Sequence, residues 1–173
     1  MTATVTVLET PRLRLRLLDD DDAPFILELL NDPDWLRFIG DKGVRTLDAA
    51  RTYIANGPVE MVRRLGFGLY LVELRDAGTA VGICGLIKRD ALDDVDLGFA
   101  FLPRFRAHGL AREAAAGVIA YGRDTLRIPR IVAITAPDNA RSIRLLEELG
   151  LRFEQTMRMP GDDHEVRMYA PPR

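Results

Sequence analysis

The first third of the chain alternates between strand-like and helix-like patterns. Apolar and basic residues alternate in Leu13–Leu18 (LRLRLL), which predicts a half-exposed strand. The apolar run FILELL follows four aspartates and Pro24; proline in a first turn, with acids at the positive end, predicts a helix start rather than a metal site. In TLDAARTYIANG, helical spacing predicts a second helix, capped by Thr46 and stopped by Gly57-Pro58.

The rest of the chain predicts a hairpin and then alternating strands and helices. GLYLVEL and TAVGICGLI flank the turn RDAG, and DVDLGFAFLP is a further strand that ends at Pro103. The helix REAAAGVIAYGRDTL and the strand RIVAIT follow. The next helix, NARSIRLLEELG, has Asn139 as its cap and Gly150 as its breaker, and LRFEQTMRM and EVRMYA close the chain as strands. About seven strands and four helices predict an α/β (α+β) domain on one mixed sheet.

Composition and charge exclude several classes of protein. With 173 residues and 47% apolar composition, the chain is long enough for one domain, residues 1–173, with a real core. A formal charge of −2 gives no basic field for nucleic acid or a membrane surface. Cys84 is the single cysteine, so neither an intrachain disulfide nor a zinc site is expected. With no signal-peptide pattern and no apolar run of about 18 residues, we expect a cytoplasmic protein.

The segment Phe101–Gly117 (FLPRFRAHGLAREAAAG) concentrates basic residues where a strand meets a helix. A helix N-terminus presents free amides and a positive dipole end, and Gly109 has no Cβ to keep an anion away from them. Arg106 and Arg112 add charge, so a phosphate or pyrophosphate site and an ordinary basic turn are equally compatible with the spacing. A Walker loop and a dinucleotide fingerprint are both excluded, because their additional glycines are missing.

The same segment resembles a known family. RAHGLA, Arg106–Ala111, fits the [Q/R]-x-x-G-x-[G/A] motif of the GCN5-related N-acetyltransferases (GNAT). The opening ETPRLRLRLLDDDDAPFILELLNDPDWLRFIG resembles the ribosomal-protein N-terminal-acetyltransferase subgroup, and later segments follow in that subgroup's order. These are GTAVGICGL, DVDLGFAFLPRFRAHGLAREA, PDNARSIRLLEELG and EVRMYA. The resemblance implies a mostly antiparallel central sheet and acetyl-CoA as cosubstrate, with no metal.

The resemblance also implies which residues bind acetyl-CoA. Main-chain groups of Phe101 and Leu102 would pair with the pantetheine arm like an added half-strand. The amides of the turn would hold the pyrophosphate, and nearby basic side chains (Arg104, Arg106, His108 or Arg112) could contact its oxygens or the 3′-phosphate. Asn139 would lie near pantetheine. The residues implied for this role are Phe101, Leu102, Arg106, Ala107, His108, Gly109, Leu110, Ala111, Arg112, Asn139 and Ser142.

Two residues are candidates for the chemistry. Ser142, three residues after the cap Asn139, lies near the position where many members of the superfamily carry a tyrosine. Its hydroxyl would stabilise or protonate the departing thiolate, although helix capping alone also explains this pair. Asp96 stands where the subgroup commonly has glutamate and is the candidate general base. Its rivals are Asp162, Asp163, His164 and Glu165.

The acceptor is left open by the sequence. An α-amine needs only a modest base because its reference pKa is about 7.7–8.0, against about 10.4 for lysine. The resemblance to the ribosomal-protein N-terminal-acetyltransferase subgroup favours a protein N-terminus over a small amine such as an amino acid, polyamine or aminoglycoside-like drug. A coenzyme A-binding module without catalysis is a third hypothesis. Relatives commonly form homodimers, but no feature of the sequence argues for one. Acceptor-site or core positions are Trp35, Phe38, Ile39, Tyr53 and Phe67.

Overall fold

The computed structural model describes residues 4–173, so Met1–Ala3 of the predicted domain lie outside it. Its eight strands form one sheet in the order β1-β2-β3-β4-β5-β6-β8-β7. The strands are β1 (Thr6–Glu9), β2 (Leu13–Arg16), β3 (Leu69–Leu74), β4 (Ala80–Ile87), β5 (Val95–Phe101), β6 (Ile131–Thr135), β7 (Arg152–Arg158) and β8 (Glu165–Ala170). Only β5 and β6 are parallel neighbours; the other pairs are antiparallel.

The helices cover both faces of this sheet. They are α1 (Ala23–Leu30), α2 (Pro33–Phe38), α3 (Leu47–Ile54), α4 (Glu60–Leu65), α5 (Leu110–Asp124) and α6 (Ala140–Glu148), with a π-helical segment (Ala55–Val59) between α3 and α4. Short 3₁₀ turns lie at Asp20–Asp22 and Pro103–Phe105. Because α3, the π-helical segment and α4 are continuous, the described residues form five separate helices. The predicted mixed, mostly antiparallel α/β class is confirmed.

Alternation along the strands creates one core on each face of the sheet. Tyr70 and Cys84 point to the same core as α5, whereas Leu71 and Ile83 point to the core under α1 and α3. Successive residues of a strand point to opposite faces of the sheet. A continuous apolar run such as that of β4 is therefore buried on both faces of the sheet. The site therefore rests on a sheet that is covered on both faces.

Two elements were missed in the sequence. β1 has four residues and pairs with β2 at one end of the sheet, and a pattern that short is weak on its own. The helix α2 is separate from α1 because Asp32 accepts hydrogen bonds from the amides of Asp34 and Trp35, with Pro33 following it. Aspartate before proline is an N-terminal helix signal, and α2 could have been found from it.

The predicted helix stop at Gly57-Pro58 is wrong. The helix continues through the π-helical segment, where Pro58 is buried, and ends at Gly66, which has φ +82°. A proline has no amide proton to donate, and a π-helical turn changes the hydrogen-bonding register around it. The chain therefore passes the proline without leaving the helix.

The four aspartates begin a helix and bind an arginine. Asp19 caps the 3₁₀ turn, and Asp22 accepts two hydrogen bonds from the Arg16 guanidinium, at 2.7 and 2.9 Å. Two of the four carboxylates thus stabilise the fold, and within residues 4–173 no cluster of metal-ligating side chains is found.

We expect Gly85→Ala to destabilise the protein by about 3 kcal/mol or more, as overpacking against rigid backbone does. A Cβ on Gly85 would lie 2.0 Å from the carbonyl oxygen of Gly68 and 2.7 Å from Leu69 Cα. Neither can move without disturbing the pairing of β3 and β4. Gly57→Ala, where a Cβ meets nothing within 4 Å, is the matched control. Chemical denaturation measures both; equal stability of the two variants would contradict the expectation.

Candidate active site

The two parallel strands separate and leave a cleft at the middle of the sheet. β5 and β6 are paired only at Val95–Ile131 and Asp96–Val132, although β5 continues to Phe101. The edge of β5 beyond Asp96 therefore faces the cleft instead of a neighbouring strand. An unpaired strand edge offers main-chain donors and acceptors to an extended ligand.

The predicted anion-binding turn lies where β5 leads into α5. Gly109 is the N-cap of α5 with φ +75°, and the first intrahelical bond runs from the Glu113 amide to the Gly109 carbonyl. The four amides of 109–112 thus have no intrahelical acceptor, and among residues 4–173 no side chain caps the helix. Ala107 is also left-handed, with φ 67°. A non-glycine residue in this region is uncommon and costs about 1–2 kcal/mol, so the turn is held in a strained form.

The basic side chains around this turn are mostly held by carboxylates. Arg106 donates to Asp32 and Asp34 and, through Nε, to the Phe101 carbonyl at 3.0 Å. Arg104 binds Glu28, and Arg112 lies 3.8 Å from Glu148. His108 is exposed, and its carbonyl accepts from Arg12. The main chain rather than these side chains is therefore the available part of the turn.

The main-chain groups predicted to bind pantetheine are partly in use. The Leu102 amide donates to the Val81 carbonyl at 3.1 Å, and the Phe101 carbonyl accepts from Arg106. The unpaired edge of β5 that faces the cleft lies one to four residues earlier, at 97–100. A ligand strand would pair there more readily than at Phe101 and Leu102.

The next helix supplies the predicted polar pair. Asn139 caps α6, its Oδ1 accepting from the Ser142 amide at 3.2 Å, so the predicted cap is confirmed. Both residues also line the cavity that occupies the cleft. Capping and a role at the cleft are thus compatible. The cap uses the side chain of Asn139 and the main-chain amide of Ser142, so the Ser142 hydroxyl is still available to a ligand in the cavity.

Asp96 is a buried carboxylate at the end of the strand pairing. Its side chain is 2% exposed, and Oδ2 accepts from Arg89 Nε at 2.8 Å. Burial disfavours the charged form and raises the pKa of Asp96 to about 6, a shift that Arg89 partly offsets. Its other oxygen, Oδ1, has no hydrogen-bond partner among residues 4–173. Arg89 was missed in the sequence, because only folding brings it beside Asp96.

The cleft holds an inner and an outer cavity. The inner cavity, about 340 Å³, is lined mostly by apolar side chains, together with Asp96, Ser142, Lys42 and Arg89. The outer cavity, about 930 Å³, lies between the end of α2 and the loop before β8. The rival bases line the outer cavity only, so Asp96 is the candidate that shares the inner cavity with Ser142. These rivals are Asp162, Asp163, His164 and Glu165.

The aromatic candidates are divided between the core and the cleft. Tyr53, Phe38 and Ile39 line the inner cavity, and burial raises the pKa of Tyr53. Trp35 belongs to the core and to the cleft. Only 5% of its surface is exposed, but it also lines the inner cavity. Phe67 packs against the core and does not line the inner cavity.

These features fit a long anionic ligand. In the described part of the chain, four free amides lie at the turn, an unpaired strand edge follows the cleft, and two buried polar atoms at the inner cavity, Trp35 Nε1 and Asp96 Oδ1, have no partner. Amides suit a pyrophosphate and a free strand edge suits an amide-containing arm. Cys84 is fully buried, and burial raises the pKa of its thiol, which disfavours the thiolate form that a nucleophile needs.

The mixed sheet separates between β5 and β6 beside the predicted anion-binding turn at the start of α5. This combination is typical of acyl-coenzyme A-dependent transferases. The sequence model of the acetyltransferase (GNAT) domain matches residues 12–152. The chain belongs to this family, and it is an acyltransferase that uses acetyl-CoA.

Individual relatives agree with this assignment. The chain is similar to the uncharacterized protein YkkB of Bacillus subtilis (strain 168), 29% identical over 156 residues, 88% of this chain and 89% of YkkB. It is also similar to the uncharacterized N-acetyltransferase YoaA of that organism, 27% identical over 169 residues and 95% of each chain. Among solved structures, an acetyltransferase from Agrobacterium tumefaciens strain C58 has a TM-score of 0.81 at 22% identity, covering 100% of this chain and 96% of that one.

The fold is also that of a ribosomal-protein acetyltransferase. RimL, a ribosomal L7/L12 α-N-protein acetyltransferase in complex with coenzyme A, has a TM-score of 0.80 at 19% identity, covering 95% of this chain and 96% of RimL.

In the part of the chain that the structure describes, no helix is both long and apolar enough to cross a bilayer.

Proposed function

We propose that this acetyltransferase acts on the α-amino group of a polypeptide, with Asp96 as general base. The observation that carries the proposal is the buried carboxylate at the inner cavity, whose pKa is raised to about 6. A base with this pKa is largely ionised at pH 7 and still accepts a proton efficiently. An α-amine, with a pKa near 8, needs no stronger base. A lysine side chain, with a pKa near 10.4, does need one.

The binding residues act before the proton moves. The amides at the start of α5 hold the pyrophosphate, and the free edge of β5 pairs with the pantetheine arm. Acetyl-CoA supplies an acetyl group activated as a thioester, with a thiolate as the leaving group. Asp96 takes the proton of the attacking amine, directly or through a water, and the Ser142 hydroxyl donates to the departing thiolate. The buried Cys84 takes no part, so no covalent enzyme intermediate is required.

The position of the outer cavity supports a polypeptide acceptor. The cavity opens beyond Lys42 and Arg89, which line both cavities, and its volume of about 930 Å³ would hold either a small molecule or a short peptide segment. Residues that follow the reacting one have room there. RimL, which has the same fold, is named as an α-N-protein acetyltransferase, and this is consistent with the proposal. A cytoplasmic location belongs to the same proposal, since acetyl-CoA is its cosubstrate.

Thiol release from acetyl-CoA with a panel of acceptors tests the proposal. We expect turnover with peptides that have a free N-terminus and none with the same peptides Nα-acetylated but containing lysine. Spermidine and kanamycin are expected to react at least tenfold more slowly, because the inner cavity carries two cations, Lys42 and Arg89, and one carboxylate. Faster turnover of either amine would overturn the choice of acceptor. Bound acetyl-CoA with no thiol release by any acceptor would overturn catalysis itself.

A further inference from the structure

The inner cavity has an excess of positive charge. Its charged lining residues are Lys42, Arg89 and Asp96, two cations and one carboxylate. An acceptor that presents only a protonated amine meets a net repulsion there. Among residues 4–173, Lys42 has no ion-pair partner within 4 Å, so its ammonium group is not held by a carboxylate at the inner cavity. The outer cavity, which Lys42 also lines, carries four carboxylates: Asp138, Asp162, Asp163 and Glu165.

Arg89 uses one side of its guanidinium and leaves the other available. Nε donates to Asp96 Oδ2, while Nη1 and Nη2 have no hydrogen-bond partner in the described part of the chain. The side chain is 39% exposed, and it lines both the inner and the outer cavity. Two parallel N–H groups of arginine match the two oxygens of a carboxylate.

We propose that Arg89, assisted by Lys42, binds a carboxylate that the acceptor carries close to its reacting amine. This inference rests on the proposed function, because it assumes that the amine approaches Asp96. Since Arg89 is hydrogen-bonded to Asp96, a carboxylate on Arg89 lies within one residue of the amine. The acceptor is then an α-amino acid or a polypeptide with an acidic residue at its second position.

The same cations also assist the chemistry. A positive charge near a bound amine disfavours its protonated form and lowers the pKa of that amine. Arg89 and Lys42 thus offset the charge of the acceptor's carboxylate and keep the amine neutral. The two cations also lower the pKa of an amine whose molecule has no carboxylate. Such an acceptor, however, binds against the net positive charge of the inner cavity.

Matched acceptors that differ in one charge test this inference. The pairs are the peptide amides Ser-Glu-Ala-Ala and Ser-Gln-Ala-Ala, and free alanine and alaninamide. Selectivity is the ratio of kcat/KM for the carboxylate to that for the carboxamide, and comparing wild type with variants cancels intrinsic reactivity. We expect Arg89→Gln to lower this ratio about tenfold or more in one pair, the value of a charge-assisted hydrogen bond, and Lys42→Gln to lower it less. The pair that responds identifies the source of the carboxylate.

Two controls separate specificity from general damage. Lys42→Gln does not touch Asp96, so a lowered ratio in this variant is not an effect on the base. Arg37→Gln removes a cation from the outer cavity that is already paired with Asp138, and its ratio should stay at the wild-type value. Ratios that stay unchanged in both Lys42→Gln and Arg89→Gln would overturn the inference.

Calorimetric titration of the protein without acetyl-CoA gives a second measurement. The Glu peptide should bind the wild type more tightly than the Gln peptide does, and Arg89→Gln should abolish the difference. Equal binding of the two peptides to the wild type would overturn the inference even if both are acetylated. If no acceptor releases thiol, the proposed function fails while this titration still decides whether Arg89 binds a carboxylate.

Discussion

Asp96→Asn is expected to lower kcat/KM for amine acceptors by about a hundredfold or more, the usual contribution of a positioned general base. The substitution keeps the shape of a side chain that is 2% exposed, but it removes the proton acceptor. Arg89 stays in place, so binding of acetyl-CoA should change little. Steady-state kinetics with a saturating thioester and varied peptide measures the loss.

The pH profile of the same enzymes gives a sharper result. Since burial raises the pKa of Asp96 to about 6, the base is protonated and inactive below that pH. Wild-type kcat/KM should fall about tenfold per pH unit there, in addition to the effect of acceptor protonation. Burial raises the pKa of Tyr53, which lines the same cavity, so this phenol keeps its proton across this range. In Asp96→Asn this additional fall should be absent.

The control for this prediction is Asp93→Asn. Asp93 is an exposed carboxylate three residues earlier, so this variant changes the charge by the same amount without touching the cleft. Its activity and pH profile should match the wild type. If Asp96→Asn retains the wild-type rate and profile, the base is another group, and the acids of the outer cavity become the candidates.

Gly109→Val is expected to raise the dissociation constant of acetyl-CoA about tenfold to a hundredfold, the equivalent of losing one or two main-chain hydrogen bonds to a charged group. Valine at φ +75° is strained, and it relieves the strain by leaving the left-handed region, which turns the amides at the start of α5 away from the anion. Space is a minor factor, since a Cβ would meet only Arg12 Nη2, at 3.3 Å. Calorimetric titration with acetyl-CoA measures the change.

Two variants isolate the role of these amides. Gly78→Val introduces the same type of strain at φ +68° in the turn between β3 and β4, and it should lower stability without weakening acetyl-CoA binding. Arg106→Ala should weaken binding less than Gly109→Val, because its guanidinium is already held by Asp32 and Asp34. The reverse order of these two variants would count against main-chain binding of the pyrophosphate.

Local signals were enough for most of the fold. Thr46 and Asn139 cap helices as predicted because each accepts from an amide three residues later, an interaction between near neighbours. The β3–β4 hairpin followed from its turn residues. Pro58 shows the limit of such signals: proline in a helical pattern predicts a stop, and only the packing of that segment decides that the helix continues through a π-helical turn.

The sequence by itself determined the order of most strands and helices, the caps Thr46 and Asn139, and the glycine at the start of α5, because these depend on neighbours along the chain. It also placed Asp96 and Ser142 in segments that resemble the GNAT family. Only the tertiary structure decided where β5 and β6 separate, that Arg89 lies against Asp96, and that Arg106 is held by Asp32 and Asp34. Arg106 is more than 70 residues from its carboxylate partners, and Arg89 meets Asp96 only through the path of the β4–β5 connection. Charge and burial therefore become defined only when the sheet brings these residues together.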